Sequence, residues 1–529
     1  MTVIIALQFR ILNSSFILPS SLLPSLGSPT HLGYNLAAMS ESSRLPTHGS
    51  TKEAILARMA SLRDHDVNWR GGRAWSLVFS AGEEVSELLQ AAYTMFFAEN
   101  GLNPTAFPSL RRFETDVVAM TASLLGSQAA TEEIVGNMTS GGTESLLLAV
   151  KTARDWARTQ RPTIRTPEMV LPVTAHPALD KAGHYFGVRP IHVAVTNDFR
   201  ADVAAMTAAI TPNTILLVGS APSYPQGVVD PIAALGQLAQ ARGLLLHVDA
   251  CVGGMMLPFA RRLGYPIPPF DFSVPGVTSL SVDLHKYGYA AKGASVILYR
   301  GADLRRCQFF VQTSWPGGIY PSPTMTGTRP GGAIAAAWAV MNYLGEAGYI
   351  NLAAQVLATA DKLKRAIDAM PGLHVLGRPD MSVLAIGSER LDIYDIGDEL
   401  TQAGWHLDRQ QSPPSLHMTV NMAHVAVADQ FLHDLAQAVQ QVSRPNARRR
   451  LAAGGLRMAE RVIHALPPRV VTRLTSAASR ALGQGSGLPG RTAPMYGLIG
   501  ALPSQGNVDD LALDLLDQLT RPNLASQTN

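Results

Sequence analysis

The stretch Ser279-Leu-Ser-Val-Asp-Leu-His-Lys286 decides how the rest of this 529-residue sequence is interpreted. It is a short β run that ends in a polar group, and the polar group ends in a lysine. An amine in a partly desolvated pocket has a lowered pKa and forms a Schiff base with an aldehyde. We therefore expect Lys286 to be a covalent attachment point at the end of a strand.

Three further groups precede Lys286 and suit a pyridoxal-type cofactor. Asp249 ends the run Leu244-Leu-Leu-His-Val-Asp249, and an acid at the carboxyl end of a strand faces the ligand crevice of an open α/β sheet. There it would keep a pyridine nitrogen protonated, so that the ring withdraws electrons from the substrate. His176 follows another predicted strand and would lie flat on the ring. Ser140-Gly-Gly-Thr143 precedes an apolar helix, whose free N–H groups would bind a phosphate.

The order of elements along the chain predicts an α/β protein. Apolar, β-rich runs alternate with helix-like or loop segments, as in a parallel sheet that is covered on both faces. The predicted strands of this region are 169–174, 191–195, 215–219, 244–249, 279–283 and 295–299. In the following α+β region we predict helices at 352–370, 396–403 and from Val427 onward, and strands near 374–376, 382–386 and 416–421.

The same patterns predict four parts of the chain. Residues 1–50 are expected to be a poorly ordered extension and 51–136 an N-terminal helical segment. Residues 137–345 would form the large cofactor-binding domain and 346–529 the small C-terminal domain. A small-residue helix that starts near Ala333, after a Gly/Pro-rich loop, is expected to bridge the two domains.

Composition narrows the class of protein. The formal net charge is only +3, whereas a nucleic-acid partner would require a much larger basic excess. The two cysteines, Cys251 and Cys307, exclude a disulfide scaffold and favour a reducing compartment. Because no pair of CxxC motifs and no HExxH motif occurs, no metal site is predicted. These features predict a cytoplasmic enzyme that acts on a small molecule.

Two segments of unusual composition keep alternative interpretations. Residues 1–38 contain one basic residue, Arg10, and no acid, but no run approaches the roughly 20 apolar residues that span a bilayer. They are interpreted as a disordered tail, as a stretch upstream of a start at Met39, or as a cleaved signal or anchor. Residues 444–480 contain nine arginines and one glutamate. They form either a solvated helical face or linker, or a peripheral contact with an anionic membrane.

Several motifs together carry a resemblance to a known family. They are Asn137-Met-Thr-Ser-Gly-Gly-Thr-Glu-Ser145, Ala221-Pro-Ser-Tyr-Pro-Gln-Gly227 with Asp230-Pro-Ile, His247-Val-Asp-Ala-Cys-Val-Gly-Gly254, Val282-Asp-Leu-His-Lys-Tyr-Gly-Tyr-Ala-Ala-Lys-Gly293, Thr326-Gly-Thr-Arg-Pro-Gly331 and Tyr496-Gly497. From about residue 75 to about 515 the sequence resembles the sphingosine-1-phosphate lyases and their bacterial relatives. These enzymes belong to the group II decarboxylase superfamily, which depends on pyridoxal 5′-phosphate (PLP).

The resemblance implies a fold, an assembly and a role for each site residue. It implies the PLP-dependent transferase fold type I, with a mainly parallel seven-stranded sheet and a smaller α+β domain, in a homodimer that shares its active sites. Its residue roles are an aldimine at Lys286, ring stacking by His176, a pyridine contact by Asp249, phosphate binding by Gly142, Thr143 and His285, and a phosphate contact from the partner chain by Thr328. It also implies that Lys292 helps to bind the substrate.

Three functions remain open at this point. A carbon–carbon lyase would break the Cα–Cβ bond of an amine substrate and release an aldehyde. An amino-acid decarboxylase would use the same cofactor site but break the bond from Cα to the carboxylate. A catalytically inactive binding protein is disfavoured because Lys286, Asp249 and His176 are all present.

Two departures from the family pattern bear on the substrate. Phe79 stands where the resemblance implies a tyrosine, and Asn103 where it implies a histidine. Both positions help to hold the substrate phosphate in the family, together with those of Asn100 and Lys292. Since hydrogen bonds to charged groups contribute on the order of 1.5–3 kcal/mol each, we expect a preference shifted from sphingosine-1-phosphate toward a smaller or less highly charged amine.

Overall fold

The structure is a computed structural model that describes residues 45–444 except 65, 127 and 129, together with scattered residues between 509 and 521. Three features of the sequence therefore lie outside the described residues: positions 1–44, the Arg-rich segment beyond Arg444, and the motif Tyr496-Gly497.

The large domain is built on a seven-stranded sheet in the order β1-β7-β6-β5-β4-β2-β3. Its strands are β1 Ile134–Thr139, β2 Glu168–Pro172, β3 Arg189–Val193, β4 Thr214–Ser220, β5 Leu245–Asp249, β6 Ser279–Val282 and β7 Ser295–Arg300. Only β7 runs antiparallel to its two neighbours, so the other six strands share one direction. This arrangement brings the carboxyl ends of six strands to one edge of the sheet.

Helices surround this sheet, which explains why its central strands are apolar on both faces. Every residue of β4, β5 and β6 is buried, as expected for a sheet that is covered on both sides. The helices up to β7 are α1 Lys52–Arg63, α2 Glu83–Met95, α3 Pro108–Leu124, α4 Gly142–Gln160, α5 Ala178–Phe186, α6 Val203–Ala209, α7 Ile232–Arg242 and α8 Leu257–Arg262.

A short helix, a hairpin and a long helix follow the sheet. They are α9 Ala302–Arg306, β8 Phe310–Gln312, β9 Tyr320–Ser322 and α10 Gly331–Asp368. The long helix bends at Gly345, whose φ of 52° is a left-handed conformation that glycine adopts without strain. The first half of α10 packs against the large domain and its second half enters the small domain.

The small domain is an antiparallel sheet covered by helices, so the predicted fold class is confirmed. Its four strands lie in the order β10-β11-β13-β12. The elements are β10 His374–Val375, β11 Val383–Gly387, α11 Ile393–Gln402, β12 Asp408–Gln411, β13 Pro414–Thr419 and α12 Ala428–Ser443. Among the helices of the described residues, none is both long enough and apolar enough to cross a bilayer.

Candidate active site

The carboxyl ends of the parallel strands carry the polar residues that the sequence singles out. Asp249 is the last residue of β5, and Lys286 follows β6 after one turn. Gly142 begins α4 directly after β1, and His176 follows β2. Since these strands share one direction, their chemically active residues meet at one edge of the sheet, where open α/β sheets bind ligands.

The ammonium group of Lys286 is paired with an acid three residues earlier in the chain. Lys286 Nζ lies 2.8 Å from Asp283 Oδ2, and Asp283 is almost fully buried. Burial lowers the pKa of Lys286, but the charge of the Asp283 carboxylate outweighs this effect and the pKa is raised. The expected lowered pKa is therefore wrong for the chain on its own, because desolvation was the only effect that the sequence revealed.

The carboxylate of Asp249 is oriented by its neighbours. Its Oδ1 accepts hydrogen bonds from the backbone N–H of Cys251 at 3.0 Å and from the hydroxyl of Ser281 at 3.4 Å. The thiol of Cys251 donates to Ser281 Oγ at 3.3 Å, and burial raises the pKa of this thiol, which keeps it neutral. No hydrogen bond within the described part of the chain ends on Asp249 Oδ2, so this oxygen is free to accept one from a protonated ring nitrogen.

The first turn of α4 forms the cradle in which the sequence predicts a phosphate group. A Cβ on Gly142 would lie 2.8 Å from both carboxylate oxygens of Asp283, so only glycine fits there. A Cβ on Gly141 would lie 3.6 Å from His285 Cε1, which places the imidazole beside the helix N-terminus. The helix has no side-chain cap, and the buried His285 Nδ1 has no hydrogen-bond partner among the described residues. Free helical N–H groups beside an unpaired histidine nitrogen fit the phosphate of PLP.

Three other predicted cofactor residues are exposed in the single chain. Thr143 is the second residue of α4. His176 accepts a hydrogen bond at its Nδ1 from the N–H of Ala178 at 3.1 Å. Thr328 lies in the loop before α10, and no hydrogen bond in the described part of the chain joins it to Gly142 or Thr143.

The predicted substrate residues fall into two groups, the first of which lies next to Lys286. Lys292 Nζ is 5.7 Å from the ring centroid of Phe79 and donates a hydrogen bond to the carbonyl of Leu77 at 2.8 Å. Burial and the charge of Lys286 lower the pKa of Lys292. Phe79 packs edge-on against Tyr287 at 4.9 Å.

Asn100 and Asn103 form the second group, on the segment between α2 and α3. Asn103 Oδ1 accepts hydrogen bonds from the N–H and the hydroxyl of Thr105 at 2.9 and 2.7 Å. Asn100 Oδ1 accepts one from the N–H of Leu102 at 3.1 Å. Among the described residues no hydrogen bond joins either asparagine to Phe79 or Lys292. The hydrogen bonds and ring contacts of the described residues therefore do not link all four predicted substrate residues.

Sequence reasoning missed the roles of two buried acids. No role was predicted for Asp283, although its position three residues before Lys286 is a usable signal. Glu144 accepts hydrogen bonds from the N–H and hydroxyl of Ser140, both at 2.6 Å, and from the N–H of Met325 at 2.8 Å. It therefore ties the phosphate loop to the loop that carries Thr328.

Comparison with known proteins agrees with this geometry. The model of the pyridoxal-dependent decarboxylase conserved domain matches residues 46–385. A sphingosine-1-phosphate lyase of Oryza sativa subsp. japonica is 42% identical over 478 residues, which are 89% of this chain and 81% of that protein.

Two solved structures extend the comparison. A sphingosine-1-phosphate lyase of Burkholderia pseudomallei superposes with a TM-score of 0.75 at 40% identity, covering 78% of this chain and 96% of that one. A Lactobacillus brevis glutamate decarboxylase has a TM-score of 0.67 at 18% identity, covering 77% and 96% of the two chains, which shows a shared fold alone. The chain therefore belongs to the pyridoxal-dependent decarboxylase family and, within it, to the sphingosine-1-phosphate lyases, which makes it a lyase that depends on pyridoxal phosphate.

Proposed function

We propose that this chain cleaves the Cα–Cβ bond of a phosphorylated amino alcohol of the sphingosine-1-phosphate class. The products would be an aldehyde that carries the hydrocarbon chain and a short phosphorylated amine. The observation that carries the proposal is the position of Lys292, whose Nζ lies 5.7 Å from the ring centroid of Phe79, which itself packs against Tyr287, the residue after Lys286. The site thus pairs an attachment lysine with a second lysine that suits a substrate phosphate.

Each residue of the site would contact a different part of the cofactor. PLP, when bound, supplies an electron-withdrawing ring that stabilises negative charge at Cα of the substrate. Lys286 would anchor it, Asp249 Oδ2 would hold the proton on the ring nitrogen, and the first turn of α4 with His285 would bind its phosphate. Asp283, 2.8 Å from Lys286 Nζ, holds a proton on that amine whenever the amine is free.

Product analysis tests the proposed bond cleavage directly. Purified protein loaded with PLP is incubated with sphingosine-1-phosphate and, separately, with a panel of amino acids. We expect aldehyde from the first and no CO2 from the second. Release of CO2 without aldehyde would replace the proposal by the decarboxylase alternative.

The two departures at the substrate site lead to a prediction about efficiency. The hydroxyl of Tyr287, next to Phe79, donates to the carbonyl of Val420 at 2.7 Å and lies 2.6 Å from Ser382 Oγ, so it does not replace the missing tyrosine hydroxyl. The double change Phe79→Tyr, Asn103→His is therefore expected to raise kcat/KM for sphingosine-1-phosphate about tenfold or more. Steady-state kinetics on wild type and the double variant measure the gain.

An unphosphorylated analogue provides the control for this gain. Its kcat/KM should be equal in the two proteins, because the added groups would contact only the phosphate. If wild type already cleaves sphingosine-1-phosphate efficiently and the double change brings no gain, the departures have no bearing on substrate preference.

A homodimer is the second part of the proposal, and exposed apolar side chains support it. Met95 and Phe97 at the end of α2 are 71% and 75% exposed, and Trp315 and Ile319 in the β8–β9 hairpin are 55% and 73% exposed. The chain after α2 approaches the hairpin at Gly327, where a Cβ would lie 3.5 Å from the Tyr320 hydroxyl and 3.9 Å from Leu102 Cδ1. Exposed apolar surface of this kind is typical of an interface between subunits.

Complementation tests whether the dimer shares its sites. Lys286→Ala and Thr328→Asp chains are each expected to be inactive, since the first lacks the anchor and the second places a negative charge at the cofactor phosphate. Subunit exchange between them creates one site with both defects and one with neither. For random mixing we expect about a quarter of wild-type activity.

The controls for complementation use the same two preparations. Each variant taken through the exchange procedure alone should stay inactive. An active monomer, or mixed dimers without activity, would contradict the shared site.

We also propose a cytoplasmic location. The two cysteines are both free, which supports a reducing compartment. Separating cell extracts into cytosolic and membrane fractions tests this, and recovery of the protein only with membranes would favour the peripheral contact instead.

A further inference from the structure

A buried ion pair lies between the end of strand β1 and the segment that joins α2 to α3. Arg329 Nη1 is 2.6 Å from Glu114 Oε1, and Arg329 Nη2 is 2.8 Å from Glu114 Oε2. Both side chains are largely buried, at 9% and 14% exposure. The two parallel hydrogen bonds form a fork that fixes the plane and the position of the guanidinium group.

On one side the pair holds the strand that leads to the phosphate loop. Glu114 Oε1 accepts a hydrogen bond from the N–H of Met138 at 3.1 Å, and Arg329 Nη1 donates to the carbonyl of Met138 at 3.4 Å. β1 is an edge strand of the sheet, so the ion pair takes the place of a neighbouring strand at this residue. Ser140 and the cradle of α4 follow only two residues later.

On the other side the pair holds the segment that carries the predicted substrate residues. Arg329 Nη2 donates to the carbonyl of Gly101 at 3.2 Å. The N–H of Gly101 donates in return to the carbonyl of Arg329 at 2.8 Å, and Asn100 forms a β-bridge with Pro330. Asn100 and Asn103 flank this contact, and Thr328 directly precedes Arg329.

We infer that Arg329, held by Glu114, is a positioning residue that sets the relative position of two parts of the site. These parts are the segment of Asn100 and Asn103, which is predicted to bind the substrate phosphate, and the loop of Ser140 before α4, which is predicted to bind the cofactor phosphate. The roles of the two segments rest on the proposed function, but the contacts of the ion pair do not. Because Thr328 is expected to serve the partner's site, the same guanidinium also joins the substrate segment of one site to a cofactor contact of the other.

A purely stabilising role does not explain this arrangement as well. Buried ion pairs give little net stability compared with apolar residues of similar volume, because removing two charges from water is costly. The guanidinium fork instead fixes the relative orientation of its partners, because one planar group donates hydrogen bonds to a carboxylate and to two backbone carbonyls. A lysine has no such fork and cannot make all four contacts at once.

Arg329→Lys in the full chain tests the inference, because it removes the guanidinium fork and keeps the positive charge. We expect the apparent Kd for PLP of the cofactor-free protein to rise at least tenfold, as measured by fluorescence titration. KM for sphingosine-1-phosphate should also rise at least tenfold, while kcat changes less than threefold. Arg112→Lys is the matched control, because Arg112 forms an exposed ion pair with Asp116 on the same helix as Glu114, and neither constant should move.

Two further variants keep the inference open to refutation if Arg329→Lys does not fold. Glu114→Gln keeps the shape of the acid and should weaken PLP binding in the same way. Gly101→Ala places a Cβ 3.1 Å from Arg329 Nη2 and should raise KM for the phosphorylated substrate while the Kd for PLP stays within twofold.

The outcomes separate this inference from the proposed function. Folded variants whose Kd for PLP and KM both stay within twofold of wild type, or that lose only thermal stability, would overturn the positioning role. Absence of wild-type turnover on sphingosine-1-phosphate would instead refute the proposed function. The PLP titrations with Arg329→Lys and Glu114→Gln would then decide the positioning role by themselves.

Discussion

Replacing Lys286 by alanine is expected to lower kcat by about four orders of magnitude or more, the usual size of the loss when a covalent attachment residue is removed. The change removes the amine that would anchor PLP and leaves the buried Asp283 without its ion-pair partner. It should therefore also reduce thermal stability, because a buried carboxylate without a counter-charge is costly.

Lys286→Arg separates these two effects. A guanidinium group keeps a positive charge next to Asp283 but forms no Schiff base with the cofactor. We expect this variant to be as inactive as Lys286→Ala and to retain more of the wild-type melting temperature, as measured by thermal denaturation. Reduction of the wild-type protein with borohydride, followed by peptide mapping, should place the cofactor label on Lys286. A label on any other lysine would contradict the assignment.

The second large effect is expected at Asp249, where Asp249→Asn should lower kcat by about two orders of magnitude or more. The amide keeps the size of the side chain and an oxygen that can accept the hydrogen bonds from Cys251 and Ser281. What it loses is the negative charge that would keep the ring nitrogen protonated. Asp249→Ala should be at least as inactive.

Spectroscopy provides the control for the Asp249 variants. Circular dichroism should show an unchanged fold for Asp249→Asn, and the cofactor absorption band should remain, because Lys286 is untouched. Turnover within threefold of wild type in a folded, cofactor-loaded variant would refute the electron-withdrawing role of the protonated ring.

Six of the seven strands of the large domain were predicted, and the central ones were recognisable because burial on both faces makes them continuous apolar runs. β1 at Ile134–Thr139 was missed, and the predicted start of the large domain at residue 137 falls inside it. The prediction of 215–219 corresponds to β4 at Thr214–Ser220, and that of 279–283 to β6 at Ser279–Val282. The strand β12 at Asp408–Gln411 was missed, because its sequence Asp-Arg-Gln-Gln has no apolar alternation. It is a strand because it pairs with β13 at the sheet edge, a long-range contact.

The element that links the two domains was predicted as two helices, one from near Ala333 and one at 352–370. The structure agrees with two helical stretches, because α10 at Gly331–Asp368 is interrupted by the non-helical backbone of Gly345. The sequence did not show that the second stretch begins before residue 352.

The candidate site also contains some residues that a local sequence pattern reveals and others that it does not. The motifs around Gly142, Asp249 and Lys286 are each continuous in sequence, so their chemistry could be proposed before the structure was known. The pair of Arg329 and Glu114 joins residues that are 215 positions apart. No local pattern links them, and their roles depend on backbone groups of a third and a fourth segment.

The ion pair between Lys286 and Asp283 bears on the side reaction of the lysine amine with an aldehyde product. A lyase of this class releases an aldehyde, and a neutral amine at the centre of its site would react with that product. A protonated amine has no lone pair to add to a carbonyl group. Asp283, 2.8 Å from Lys286 Nζ, raises the pKa of that amine and would slow its addition to a released aldehyde while no cofactor is bound.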